Sequence, residues 1–245
     1  MACIAIVLLH ISSSYWGVIE TKSIEFIIMT IYNGLTRFAV PVFMMLSGAF
    51  LLDIKKNINI KQSLKLFGKC IFNFYLWSAF YAFQGIIMKV LMGEDVTQIL
   101  WINSLERFLW GHYHMWFIFL ILGFYLILPI ARKIAESKTV LEYYLVLWVF
   151  TRFFLPGVCF NEKLNLINIW IGKLDINLLI GYLGYFLLGY YIRKYGFSKK
   201  IRIVIYAGGM IGFIYSIIGT IKQSFILGMC YESYFNPSSW NILLF

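Results

Sequence analysis

An all-α bundle of membrane-spanning helices is predicted by three observations on the whole chain. Hydrophobic residues make up 61% of the 245 and charged residues only 13%. That leaves too little polar surface to clothe a water-soluble core, so lipid must solvate most of the surface. The apolar residues fall in runs close to the roughly 20 residues a helix needs to cross hydrocarbon. The basic residues collect between alternate runs, as in multi-pass proteins. A net charge of +10 spread over such loops, rather than along one face of a soluble domain, argues against a nucleic-acid partner.

The runs are 1–15, 26–52, 66–92, 113–131, 139–155, 176–192 and 203–221, and another opens at Trp240. They predict about seven complete or near-complete helices in a single integral-membrane domain spanning 1–245. Thirteen of the 21 Lys and Arg residues lie in three segments. These hold Lys55, Lys56, Lys61, Lys65 and Lys69; Arg132, Lys133 and Lys138; and Arg193, Lys194, Lys199, Lys200 and Arg202. By the positive-inside rule these segments are cytoplasmic, and the loops 12–25, 93–111, 156–175 and 222–239 face outward. The first run is apolar from its start and short for a span, and the last stops about one turn after Trp240, so the chain reads as a fragment truncated at both ends. Cys3 and Cys70 fall in or near membrane, Cys159 and Cys230 in outward loops, and none has the spacing of a metal site.

Few residues within these runs can carry chemistry. His10 is the only ionisable side chain of the first run, with Ser13 and Ser14 expected on its helical face, and an imidazole facing a bundle can exchange a proton near neutral pH. Composition alone favours a satisfied core histidine over a catalytic one. Arg37 opens the run Arg37-Phe-Ala-Val-Pro41 and carries a permanent charge between two apolar segments, where a guanidinium is costly. Counting from Asp53, it lies sixteen residues up, or roughly 24 Å at helical rise. His114, counted from Arg132, reaches roughly 27 Å by the same rule. His10, just before an outward loop, is expected in that outer layer too. Lys89 and Arg152, each near an outer helix end, read as snorkelling cations. Pro41 is expected to kink its helix, and Ser47-Gly48 together with Gly181, Gly184 and Gly189 to let helices meet closely.

Three segments resemble the membrane acyltransferase family 3, and within it the surface-polysaccharide O-acetyltransferases. They are Ala2-Cys-Ile-Ala-Ile-Val-Leu-Leu-His10, Arg37-Phe-Ala-Val-Pro-Val-Phe-Met-Met-Leu-Ser-Gly48, and Tyr113-His-Met-Trp-Phe117 with Pro129 closing that run. Lys65 to Tyr81 and Gly184 to Gly189 are similar more loosely. The resemblance implies about ten helices in the full protein and a bacterial inner-membrane location. It implies an acyl-CoA donor, most often acetyl-CoA, on the cytoplasmic side, with no bound cofactor or metal. The acceptor would be a hydroxyl of a cell-surface polysaccharide or lipid-linked sugar. It makes His10 and Arg37 catalytic and His114, Trp116 and Ser47 substrate-binding. The family's first helix pairs an Arg with the His eleven positions later, which falls just before Met1, so the chain alone is expected to be inactive. The alternative is a secondary transporter or exporter, in which buried Arg and His would relay substrate or protons. It predicts paired inverted repeats, and none is visible.

Overall fold

Every regular element in the described part of the computed structural model is helical. The structure describes residues 2–14, 19–53, 55–56, 58–112, 115–154 and 181–228. The helices are α1 Ala2–Ser14, α2 Ile24–Thr36, α3 Ala39–Leu51, α4 Ile60–Leu91, α5 Gln98–Trp110, α6 Trp116–Glu136 and α7 Lys138–Val149, the last continued by a π-helix over Phe150–Phe154. After the undescribed stretch come α8 Leu183–Tyr195 and α9 Lys199–Leu227. Four stretches are long and apolar enough to cross a membrane: Ile24–Leu51, Ile60–Leu91, Trp116–Glu136 and Lys199–Leu227. Local chemistry sets the helix starts. Ser23, Thr97, Ser137 and Ser198 accept the exposed N–H groups of α2, α5, α7 and α9, and Asn59 forms a reciprocal capping box with Gln62 ahead of α4.

The structure corrects the sequence reading in three places. The apolar run 26–52 is two helices, α2 and α3, parted at Arg37 and Phe38. Pro41 explains the break, because it has no N–H to give the Arg37 carbonyl four residues back, and the ladder resumes at Val42 N–H to Phe38 O, 3.0 Å. The expected loop 93–111 contains α5, a 13-residue helix, about 20 Å long and too short to span. The first basic stretch is not all loop, since Lys61, Lys65 and Lys69 lie in the first turns of α4 at successive four-residue steps. At 32 residues α4 is about 48 Å long, so this end carries its charged face beyond the hydrocarbon.

The described residues gather into two compact units, Ile54–Glu136 and the remainder. In the first, α4 packs against both α5 and α6. The fully buried Ser78 hydroxyl donates to the carbonyls of Arg107 and Phe108, at 3.0 and 2.7 Å, and ties α5 to α4. Pro129 lies inside α6 without ending it. It cannot bond the Tyr125 carbonyl, and the Ser63 hydroxyl of α4 donates to that oxygen instead. A proline defect is thus satisfied by a neighbouring helix, as membrane bundles require.

In the other unit α3 and α8 form the closest helix pair. A Cβ on Gly48 would overlap the Phe186 carbonyl, and one on Gly189 would overlap the Met45 carbonyl. The two glycines therefore bring the backbones together reciprocally, which is the small-residue packing expected of Ser47-Gly48 and the sixth run. Met44, Phe186 and Leu187 are completely buried around this contact. Arg193 closes the end of the pair: its guanidinium donates to the Ala49 carbonyl at 2.6 Å, meets Asp53 at 3.3 Å and lies 5.3 Å from the Phe50 ring centroid. A cation at the last carbonyls of α3 also complements the helix dipole. Remaining contacts in this unit join α1 to α2 and α3, α2 to α9, and α7 to α8.

Candidate active site

The broken run places Arg37 at the joint of α2 and α3, in αR geometry just past the last turn of α2. Its side chain is half-buried and turned into the bundle. Nε donates to Asn33 Oδ1 at 2.9 Å, and Nη1 donates to Ser216 Oγ at 2.8 Å and Thr220 Oγ1 at 3.4 Å. Asn33 is four residues earlier on α2 and 2% exposed, and its Nδ2 donates to Ser12 Oγ on α1 at 3.4 Å. Ser12, Asn33, Arg37, Ser216 and Thr220 form one hydrogen-bonded chain through three helices. Gly34 permits it, because Ile217 on α9 sits where a Cβ at Gly34 would go, 2.5 Å from its position.

This arrangement distinguishes a positioned arginine from a snorkelling one. A snorkelling guanidinium leaves the bundle for water or headgroups, whereas Arg37 is fixed by side chains on two helices. The side-chain partners described for it, Asn33, Ser216 and Thr220, hold it through neutral oxygens. Chemically, such a group is a fixed positive donor in a low-dielectric site.

His10 is half-buried on α1, two residues before Ser12. The chain of hydrogen bonds therefore brings the His10 turn of α1 and Arg37 to the same set of packed helices. The serines differ from the expectation. Ser13 turns its hydroxyl back on the Leu9 and His10 carbonyls, at 3.0 and 3.1 Å, and Ser12 is the one that reaches α2. The side chain of Ser14 lies outside the described residues. Ser47, on α3 in the same unit, likewise donates to the Phe43 carbonyl at 2.9 Å. Trp116 is the first residue of α6 in the other unit, and its ring meets Phe117 edge-on at 6.2 Å. His114 lies outside the described residues, as do Cys159 and Cys230.

Asn33, Ser216 and Thr220 escape a sequence reading that looks only for ionisable groups. A signal for each was present: Asn33 sits four residues before Arg37, and Ser216 and Thr220 sit four apart in an otherwise apolar run. His112, beside the undescribed pair 113–114, packs against Tyr81 at 5.5 Å. Partial burial, with Arg107 as a lesser repulsive neighbour, lowers its pKa from the ordinary 6.5. Arg152, expected to snorkel, is instead 7% exposed in the π-helix. The Lys89 side chain is 43% exposed and paired with Glu94 at 3.2 Å.

No curated protein and no solved structure matches the chain at a significant level. The family profile of an acyltransferase domain matches residues 1–245, the whole length. With several apolar helices, this describes a multi-pass membrane protein that transfers acyl groups. The chain belongs to the acyltransferase 3 family.

Proposed function

We propose that the full-length protein transfers an acyl group, most often acetyl, from acyl-CoA to a hydroxyl of a cell-surface glycan or its lipid-linked precursor. The observation that carries this reading is the three-helix chain that holds Arg37 and links it, through Asn33, to Ser12, two residues after His10 on α1. In the reaction the acceptor hydroxyl oxygen attacks the thioester carbonyl, a C–O bond forms and the C–S bond breaks. His10 takes the hydroxyl proton and returns it to the departing thiolate, giving the ester and free CoA. Arg37 stabilises the negative charge that develops on the carbonyl oxygen, a role suited to a donor already held in place. His114 and Trp116 shape the path of the acceptor or the pantetheine arm, with Ser47 contributing less. The donor enters from the cytoplasmic face and the acceptor from the outer one, in the bacterial inner membrane.

Replacing His10 by Ala in the full-length gene tests the reading, with acylation of the surface glycan followed by mass spectrometry. A general base contributes about 10²–10⁴-fold, so acylation should fall to background. Undiminished acylation would remove His10 from the mechanism.

A further inference from the structure

The π-helix after α7 holds a second buried arginine. Arg152 is 7% exposed, and its guanidinium lies close enough to the phenol of Tyr185 on α8 to interact with it. One turn earlier, Trp148 is 1% exposed, meets the Tyr185 ring edge-on at 4.7 Å and donates from its indole N–H to the Gly181 carbonyl at 3.0 Å. Gly184 leaves the space the Trp148 indole occupies. Tyr182, whose ring centroid is 6.1 Å from that of Tyr185, has a buried hydroxyl with no hydrogen-bond partner among the described residues.

Charge accounting makes this cluster unusual. A guanidinium taken out of water loses several kcal/mol of hydration, recovered only by opposite charge with good hydrogen bonds. Tyr185 is a neutral phenol and cancels no charge. Among the described residues, the ion pairs engage Lys89, Lys133, Lys138 and Arg193, and none engages Arg152. The guanidinium has five donors in a planar fork, the Tyr185 hydroxyl can still donate, and Tyr182 supplies an uncommitted hydroxyl. All of these complement an oxyanion, and an Arg fork takes a carboxylate or phosphate in two parallel bonds. A π-helix interrupts the regular ladder here, a distortion that recurs at functional sites.

We infer that Arg152, Tyr182 and Tyr185 form a binding site for an anionic group, a carboxylate or phosphate carried by the sugar acceptor. This selects acidic acceptors over neutral ones, and it rests on the glycan-acyltransferase reading only for the identity of the molecule carrying the anion. With Lys138 on the cytoplasmic side, Arg152 lies about 20 Å along the helix, in the half of the membrane from which a surface glycan arrives.

The test uses the full-length protein in zwitterionic lipid nanodiscs, with methyl glucuronide, methyl glucoside and inorganic phosphate as probes. Methyl glucuronide or phosphate should raise the melting temperature saturably, and methyl glucoside should not. The shift should vanish in Arg152→Gln and weaken in Arg152→Lys, which keeps the charge but loses the fork. Equal response to glucuronide and glucoside overturns the inference, as does an anion response that survives in Arg152→Gln. A response to anionic lipid in the disc, with none to the sugar acid or phosphate, assigns the site to a headgroup and also overturns it. With acetyl-CoA present, Arg152→Gln should raise KM for an acidic oligosaccharide about tenfold and leave that for its neutral counterpart unchanged. If the wild-type protein transfers acetyl to neither acceptor, the proposed function fails, and the binding measurements still decide the anion site. Should Arg152→Gln not fold, Tyr182→Phe, which removes only the uncommitted hydroxyl, must weaken glucuronide binding.

Discussion

Asn33 shows how one neutral side chain sets what a charged one can do. Its amide oxygen takes Arg37 Nε and its amide nitrogen reaches Ser12, so it fixes the guanidinium and joins α2 to α1. Asn33→Ala removes both bonds and leaves donors on Arg37 facing a buried gap. A lost partner to a charged group costs about 1–3 kcal/mol, so unfolding of the purified protein should occur at measurably lower temperature. If Asn33 positions Arg37, acyl transfer should fall further than that destabilisation accounts for when compared at a temperature where both proteins are folded. Asn33→Asp keeps the acceptor but adds a carboxylate that neutralises Arg37, so it should retain stability and lose activity. Equal activity in Asn33→Asp and wild type would separate Arg37 from the chemistry.

At the scale of elements, the legible features were those with a local cause. The apolar runs, the caps, the proline joint and the glycine face could be read because each follows from residue type and spacing along one segment. α5 was missed because its apolar residues are interrupted by Asn103, Glu106 and Arg107, which removes the run that marks a span. The burial of Arg152 was also missed, because it depends on Tyr185 and Trp148, which pack through the contact of α7 with α8. Sequence spacing from a helix end places an arginine in depth but says nothing about which neighbour covers it. The glycines give the sharpest test at this scale. Gly189→Ala forces a methyl into the Met45 carbonyl, a backbone atom that cannot move alone, so α3 and α8 must separate at a cost of at least about 2 kcal/mol. Gly208→Ala on α9 meets open space within the described residues and should be neutral or stabilising by up to about 1 kcal/mol through helix propensity. Thermal denaturation of the two variants side by side should separate them clearly. Similar melting temperatures would mean that the α3–α8 contact is looser than its geometry.

For the whole molecule, the positive-inside pattern has a specific physical content. Lys55, Lys56, Arg132, Lys133, Arg193, Lys199 and Lys200 all lie at helix ends or between helices, where a cation resists transfer across the membrane. The Arg193 contacts with Ala49 and Asp53 place the ends of α8 and α3 at one level, and the charge pattern puts the basic segments that follow those two ends on one side. Glu94 and Asp95, after the far end of α4, should then face outward, because α4 is long enough to carry the chain across once. Single cysteines at Lys56, Lys199 and Glu94, in a background with the four native cysteines changed to Ser, turn this into an observation. A membrane-impermeant maleimide applied to intact spheroplasts should label the cysteine at 94 and leave those at 56 and 199 unlabelled until the membrane is opened. Labelling of 56 and 199 on opposite sides would break the pairing of the basic segments. Labelling of 56 and 199 together from outside would invert the orientation. It would also put His10 and Arg37 near the cytoplasm, where they could meet an acyl-CoA but not a glycan outside.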